Sequence, residues 1–196
     1  DRGISLKTAW SLMQENNVVT IPCVTEEGVL EGVITIGDIT KSYMNLYDSS
    51  IISKANTKYS NILDTLEGSI VVGDAEAYFD KGKVLIAAAN PDLMENYIEK
   101  HDLVILGNRY ESQLCAIEME AGCIIVCEGA GVSLTIRKLA QERGCTVITT
   151  PYDTYTTARL INQSMPISYF MTREHLITFD SDDYIDEIKE VMASKR

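Results

Sequence analysis

The chain has 196 residues, 29 acidic and 17 basic, for a formal net charge of −12, and 45% of them are hydrophobic. That length suits one large domain or two small ones with real cores, and the apolar content excludes a disordered chain. The acidity excludes general affinity for a nucleic-acid backbone or an anionic membrane, which both need a basic face, while leaving room for a local basic pocket around a small phosphate ligand.

Asp1-Arg2-Gly3 carry neither an initiator Met nor a signal-peptide pattern, so the chain is expected to be cut from something longer. From Ser5 to Asn16 the apolar residues Leu6, Ala9, Trp10, Leu12 and Met13 fall on a helical face that stops at Asn16-Asn17. Val18–Val24 reads as a short strand, Glu26-Glu27-Gly28 as a turn and Val29–Ile36 as a second strand. Gly37-Asp38-Ile39-Thr40 then opens a helix that runs to about Leu46. Two strands and two helices bury too little to stand alone, so this unit predicts a partner of its own kind.

The middle alternates. Strand-like runs at Ser69–Gly73, Lys83–Ala88, Leu103–Gly107, Cys123–Cys127 and Cys145–Thr149 are separated for the most part by helical patterns at Asp92–Lys100, Glu111–Ala121 and Ser133–Arg143. Such alternation predicts a largely parallel α/β sheet covered by helices, over about residues 52–162. Beyond it the first pattern returns. Moving residues 5–13 forward by 179 positions lays Leu6 on Ile185, Ala9 on Ile188, Leu12 on Val191 and Met13 on Met192. That single-helix repeat matches the need of the first unit for a partner.

Five cysteines (Cys23, Cys115, Cys123, Cys127 and Cys145) sit for the most part in apolar, strand-like runs. They read as reduced, buried thiols of a cytoplasmic protein. Cys123 and Cys127 are four apart with no second pair to complete a zinc site, and the histidines are only His101 and His175. No metal or other cofactor is therefore expected in this chain.

Thr35 ends a strand, and Asp38 lies in the first turn of the helix that follows. A carboxylate there either caps its own helix or accepts the two hydroxyls of a ribose, and the spacing permits both. The helix N-terminus adds free N–H groups and a positive dipole end for phosphate.

Gly32-Val33-Ile34-Thr35-Ile36-Gly37-Asp38-Ile39 resembles the strand-to-helix signature of a CBS motif, and Val19-Thr20-Ile21-Pro22-Cys23-Val24 fits the strand before it. Ser168-Tyr169-Phe170-Met171-Thr172, followed by Leu176-Ile177-Thr178-Phe179, resembles the opening of a second CBS motif. The middle resembles a DRTGG domain whose naming motif is degraded to Asn108-Arg109-Tyr110-Glu111-Ser112, with only Arg109 retained. The implied fold class is α/β, with CBS motifs (β-α-β-β-α units) flanking a parallel-sheet DRTGG domain. The implied boundaries are 1–50 for a first CBS motif lacking its N-terminal strand, 52–162 for the DRTGG domain and 163–196 for the incomplete start of a second CBS motif.

The order CBS, DRTGG, CBS resembles the regulatory insert of clostridial-type family II inorganic pyrophosphatases. The resemblance implies a non-catalytic, adenine-nucleotide-binding region of a cytoplasmic, manganese- or magnesium-dependent hydrolase. AMP and ADP would inhibit the attached catalytic domains, and ATP or diadenosine polyphosphates would activate them. It also implies a homodimer with no nucleic-acid or membrane partner. The implied nucleotide site contains Thr35 and Asp38 at the ribose, Thr20, Ile21 and Pro22 flanking the adenine, Ile34 as a further nucleotide-binding residue, and Met171, Thr172 and Ile177 of the second motif at the positions that usually meet the base. The rival reading is a dimerisation or interaction module without nucleotide sensing.

Other signals point to ordinary structure. Glu128-Gly129-Ala130-Gly131-Val132-Ser133 sits where phosphate loops sit, but it lacks a Walker ending and a third fingerprint Gly, so a plain turn is favoured. Tyr152-Asp153-Thr154-Tyr155-Thr156-Thr157 reads as an interface or as a helix start with Asp153 as cap. Asp182-Asp183 are helix-start charges rather than a catalytic pair.

Overall fold

The computed structural model describes residues 1–44, 48–87 and 91–194. The first elements are α1 (Leu6–Asn16), β1 (Thr20–Val24), β2 (Leu30–Thr35) and α2 (Ile36–Met44). Next come α3 (Ile51–Lys54), β3 (Thr57–Lys58), α4 (Tyr59–Leu66), β4 (Ser69–Val72), β5 (Tyr78–Phe79) and β6 (Val84–Ile86). Then follow α5 (Pro91–Met94), β7 (Leu103–Leu106), α6 (Tyr110–Glu118), β8 (Cys123–Val126), α7 (Leu134–Arg143), β9 (Thr146–Thr149) and α8 (Thr154–Leu160). Short 3₁₀ turns at Ile161–Ser164 and Ile167–Tyr169 lead to α9 (Ile185–Ser194).

The order helix, strand, strand, helix forms as the periodicity predicts. Ser5 caps α1, its hydroxyl accepting the Thr8 N–H at 3.1 Å, and Asn17 ends the helix in the left-handed region at φ 52°. Leu6, Ala9 and Met13 are buried, whereas Trp10 and Leu12 stay partly exposed at the flank of the apolar face. β1 and β2 pair antiparallel, Thr20 opposite Thr35 and Pro22 opposite Val33. Their sheet has two strands, so Pro22 sits on an edge, where its missing N–H costs no ladder bond. Leu46, the expected end of the second helix, lies outside the described residues.

The middle forms a five-stranded sheet in the order β4-β9-β8-β7-β6. β6, β7, β8 and β9 are mutually parallel, with Leu103, Cys123 and Thr146 level across three strands. Every residue of β7 and β8 has zero exposure, as expected of parallel strands covered on both faces. β4 runs antiparallel to β9 at one edge, a direction that the hydrophobic pattern does not encode. The two-residue strands β3 and β5 pair with each other, and α4 packs beside them. The helical pattern at Asp92–Lys100 yields only the single turn of α5, followed by irregular turns; Ala88, the expected end of β6, lies outside the described residues.

One face of the sheet, carrying Val104, Leu106, Ile124, Val126 and Val147, packs with α6 and α7. The other face shares a single core with the first unit. Leu6, Ala9, Met13, Cys23, Ile34 and Ile39 join Ile62, Leu66, Leu103, Ile105, Ile125, Met165, Ile167 and Met171 in one cluster. The partner of the first unit, among the described residues, is therefore the stretch that follows α8. The Leu6 N–H donates to the Met165 carbonyl, and the Ile167 N–H to the Ile4 carbonyl, both at 2.9 Å. The repeat helix α9 forms where the pattern places it but buries no residue, and Leu176–Phe179 does not form the expected strand. A single extended segment has too few cross-strand contacts to hold itself.

Candidate nucleotide site

The signature residues sit where β2 becomes α2. The Thr35 hydroxyl accepts the Asp38 N–H at 3.2 Å, and Asp38 Oδ2 accepts the Thr35 N–H at 2.9 Å and the Thr35 hydroxyl proton at 2.7 Å. This is a reciprocal capping box, with Asp in the place usually taken by Glu or Gln. It explains why the helix begins here, and it assigns Asp38 its capping role. It also leaves Oδ1 without a hydrogen bond among the described residues, on a side chain that is only half-buried. One oxygen holds the turn while the other stays open to a ligand. Thr35 has used its proton on Asp38, so toward a ligand its hydroxyl accepts.

The pleat sorts the other expected residues. Side chains alternate between the two sides of a strand, and paired residues share a side. Thr20, Pro22, Val33 and Thr35 occupy the open face, with Thr20 and Pro22 exposed. Ile21 and Ile34 occupy the opposite face. Ile34 is fully buried in the shared core and Ile21 packs against it, so neither lends its side chain to a ligand on the open face. Only their backbone atoms remain for that role. Val33 lies between Pro22 and the Thr35 end of this face and was not among the expected site residues, although its position two before Thr35 marks its side.

The residues from the second motif also divide. Thr172 pairs with Val33 across an isolated antiparallel bridge, each N–H donating to the other's carbonyl at 2.9 Å. Thr172 is exposed and adjoins the open face. Met171 is buried over Gly32 and belongs to the core. Gly32 is required there, because a Cβ would lie 2.9 Å from the Thr172 carbonyl oxygen and 3.0 Å from Met171 Sδ. Ile177 is exposed, in a segment without strand structure, and is not brought to the Thr35–Asp38 turn by any pairing. The structure thus gathers Thr20, Pro22, Thr35, Asp38 and Thr172 around one open edge.

The other weighed motifs take structural roles. Asn108 and Arg109 form the exposed turn between β7 and α6, while Ser112 is buried in the helix. In the Glu128–Ser133 loop, the Glu128 and Gly129 N–H groups donate at 2.8 Å to the carbonyls of Tyr152 and Thr150, so they are not available to a phosphate. Ser133 caps α7 and Asp153 caps α8. Burial raises the Cys23 and Cys127 thiols, lifts Cys123 well above its ordinary value and pushes Cys145 up to about 12, which leaves them neutral and poor nucleophiles. Among the described residues no three His, Cys, Asp or Glu side chains gather as a metal site, and no helix is long and apolar enough to cross a membrane.

The CBS domain profile matches residues 1–45, and the DRTGG domain profile matches residues 61–164. The chain belongs to the CBS–DRTGG family. A cobalt-dependent inorganic pyrophosphatase of Clostridium perfringens is 37% identical over 98% of the chain and 35% of that protein. A probable manganese-dependent inorganic pyrophosphatase of Thermotoga maritima is 25% identical over 94% of the chain and 33% of that protein. The chain therefore spans about a third of the length of these relatives. In structure it resembles the CBS and DRTGG domains of the regulatory region of the C. perfringens pyrophosphatase, crystallised with its activator diadenosine tetraphosphate. The TM-score is 0.92 at 36% identity, covering 98% of this chain and 84% of that one. What matches is the regulatory CBS–DRTGG region, and the α/β fold class with its parallel strands agrees with it.

Proposed function

We propose that this CBS–DRTGG region binds adenine nucleotides at the open edge of β1 and β2 and controls the catalytic domains of an inorganic pyrophosphatase. The observation that carries the reading is the free Oδ1 of Asp38 beside an exposed β-face. A ribose hydroxyl donates to that oxygen, the base rests on the face of Thr20, Pro22 and Val33, and Thr172 closes the far side. AMP and ADP act as inhibitors, and ATP or a diadenosine polyphosphate as activators. The activator bound by the related C. perfringens region supports the nucleotide class.

The module boundaries are 1–50, 52–162 and 163–196, the assembly is a homodimer, and the setting is the cytoplasm, away from nucleic acid and membrane. The metal belongs to the attached catalytic domains, and the names of the relatives favour cobalt or manganese over magnesium. Regulation requires different affinity for two states of the region, because equal affinity shifts no equilibrium. Calorimetry with AMP, ATP and diadenosine tetraphosphate tests the reading. Saturable heat, of which Asp38→Ala removes the part that belongs to the β1–β2 edge, supports it, whereas absence of heat with all three favours a pure interaction module.

A further inference from the structure

Between α2 and α8 lies a hollow that the Asp38 site does not use. It has a volume of about 490 Å³ and is lined by Tyr43, Tyr155, Thr156, Arg159, Asn162 and Gln163 among others. That size falls within the range of small-ligand pockets, roughly 300–1,000 Å³. It also lies at a junction: Tyr43 belongs to the part matched as CBS, the other five to the part matched as DRTGG. Ligand pockets favour such junctions.

The lining has the chemistry of a nucleotide site. The Arg159 guanidinium stands 5.7 Å from the centre of the Tyr155 ring, and Arg159 Nη1 donates to the Tyr155 hydroxyl at 3.4 Å. Ring and cation are thus held as one unit, although Tyr155 is 67% exposed and is not held by the core. Arg159 makes no ion pair among the described residues, although the chain carries a net charge of −12. The side-chain amides of Asn162 and Gln163 and the Tyr43 hydroxyl make no hydrogen bond among the described residues. A planar base suits the aromatic rings, two carboxamides offer donors and acceptors to its edge, and a guanidinium without an ion pair among the described residues suits a phosphate.

The geometry points to a second nucleotide position in this hollow, taking a purine nucleoside monophosphate. Tyr43 lies five residues beyond Asp38 on α2, about 7–8 Å along the helix axis. An occupant here touches the helix whose first turn forms the Asp38 site, and it touches α8 on the other side. The two positions thus share one rigid element.

AMP titrated calorimetrically into the 196-residue chain tests the hollow, using Asp38→Ala, Arg159→Ala, Tyr155→Ala and the Asp38/Arg159 double variant. Asp38→Ala should retain about one AMP per chain, and adding Arg159→Ala should weaken that remaining event at least tenfold. In Asp38→Ala the ring resonances of Tyr43 and Tyr155 should shift as AMP is added. If Asp38→Ala abolishes all binding, the hollow is refuted and the Asp38 site stands. If Arg159→Ala removes all heat and Asp38→Ala none, the hollow stands and the Asp38 site falls. Remaining heat that is indifferent to both Arg159→Ala and Tyr155→Ala also refutes the hollow. Both side chains are exposed, so these variants should fold, and circular dichroism checks that they do.

Discussion

The β1–β2 hairpin and the five-stranded sheet use similar β-branched and aliphatic residues but meet solvent differently. In β7 and β8 every side chain is fully buried, and each strand is bonded on both sides. In the hairpin one side enters the shared core through Cys23 and Ile34, and the other lies open. Its outer edge carries a proline, and its inner edge is completed by one bridge to Thr172. The sheet has one low-energy arrangement, fixed by close packing on both faces. The hairpin has polar groups to spare and few contacts to lose, as a ligand-responsive surface requires.

The largest effect that separates the two regions should come from the core. Ile125→Ala in β8 should cost about 2–5 kcal/mol in urea denaturation, because neighbours on both faces block collapse of the cavity. Ile34→Ala, equally buried, should cost less, since the hairpin is free on one side to close over the gap. An equal or larger cost at Ile34 would mean that the hairpin is as constrained as the sheet. The next effect is functional. Asp38→Ala should weaken AMP by about 1.5–3 kcal/mol and stability by only about 1 kcal/mol. Asp38→Asn keeps the cap but loses the charge, so affinity should drop with stability held. A folded Asn variant of unchanged affinity excludes the carboxylate from binding.

Gly32→Ala should follow, at about 1–3 kcal/mol for overpacking. Hydrogen exchange should quicken at the Thr172 and Val33 amides and stay slow in β7. Equal quickening in both places would erase the distinction between the regions. The smallest effect lies between them, at Asp48. Hydrogen bonds from Lys54 Nζ at 2.6 Å and from the Ser50 side chain and N–H hold its carboxyl at about 2, below the ordinary 3.8. A depressed carboxylate stabilises the fold above about pH 4, and that contribution is lost as pH falls through about 2. The group is solvent-exposed, so the gain is slight. A carboxyl-detected NMR titration should place Asp48 well below the ordinary aspartate value, and Lys54→Ala should bring it only part of the way back, because the Ser50 hydrogen bonds remain.

The sequence announces the sheet more clearly than the site. Continuous runs such as Leu103–Leu106 and Cys123–Val126 leave no choice but a doubly covered strand, and all five strands lie within the expected runs. Strand direction carries no such mark, which is why the reversed sense of β4 emerges only from the structure. Around the candidate site, residue types mark the Thr35–Asp38 turn, whereas the two-residue alternation that sets Ile21 and Ile34 on the opposite face from Thr20 and Thr35 is legible only once the strand register is known. The pattern at Leu176–Phe179 has strand composition, yet strand structure needs a bonded neighbour, and composition does not supply one. Tyr43 and Arg159 are far apart in the chain, so the hollow between them has no local signature.

The bridge from Val33 to Thr172 also fixes an order of assembly. It closes a loop that contains the entire five-stranded sheet, and chain closure over so many residues is entropically unfavourable until the intervening segment is compact. The hairpin forms from neighbours in sequence, and the sheet grows by strand–helix–strand steps of moderate length, so both precede the bridge. The edge that Thr172 completes thus forms late, along with the longer closures from Leu6 to Met165 and from Ile4 to Ile167. A ligand at that edge, as proposed here, would not hasten folding; it would slow escape from the folded state.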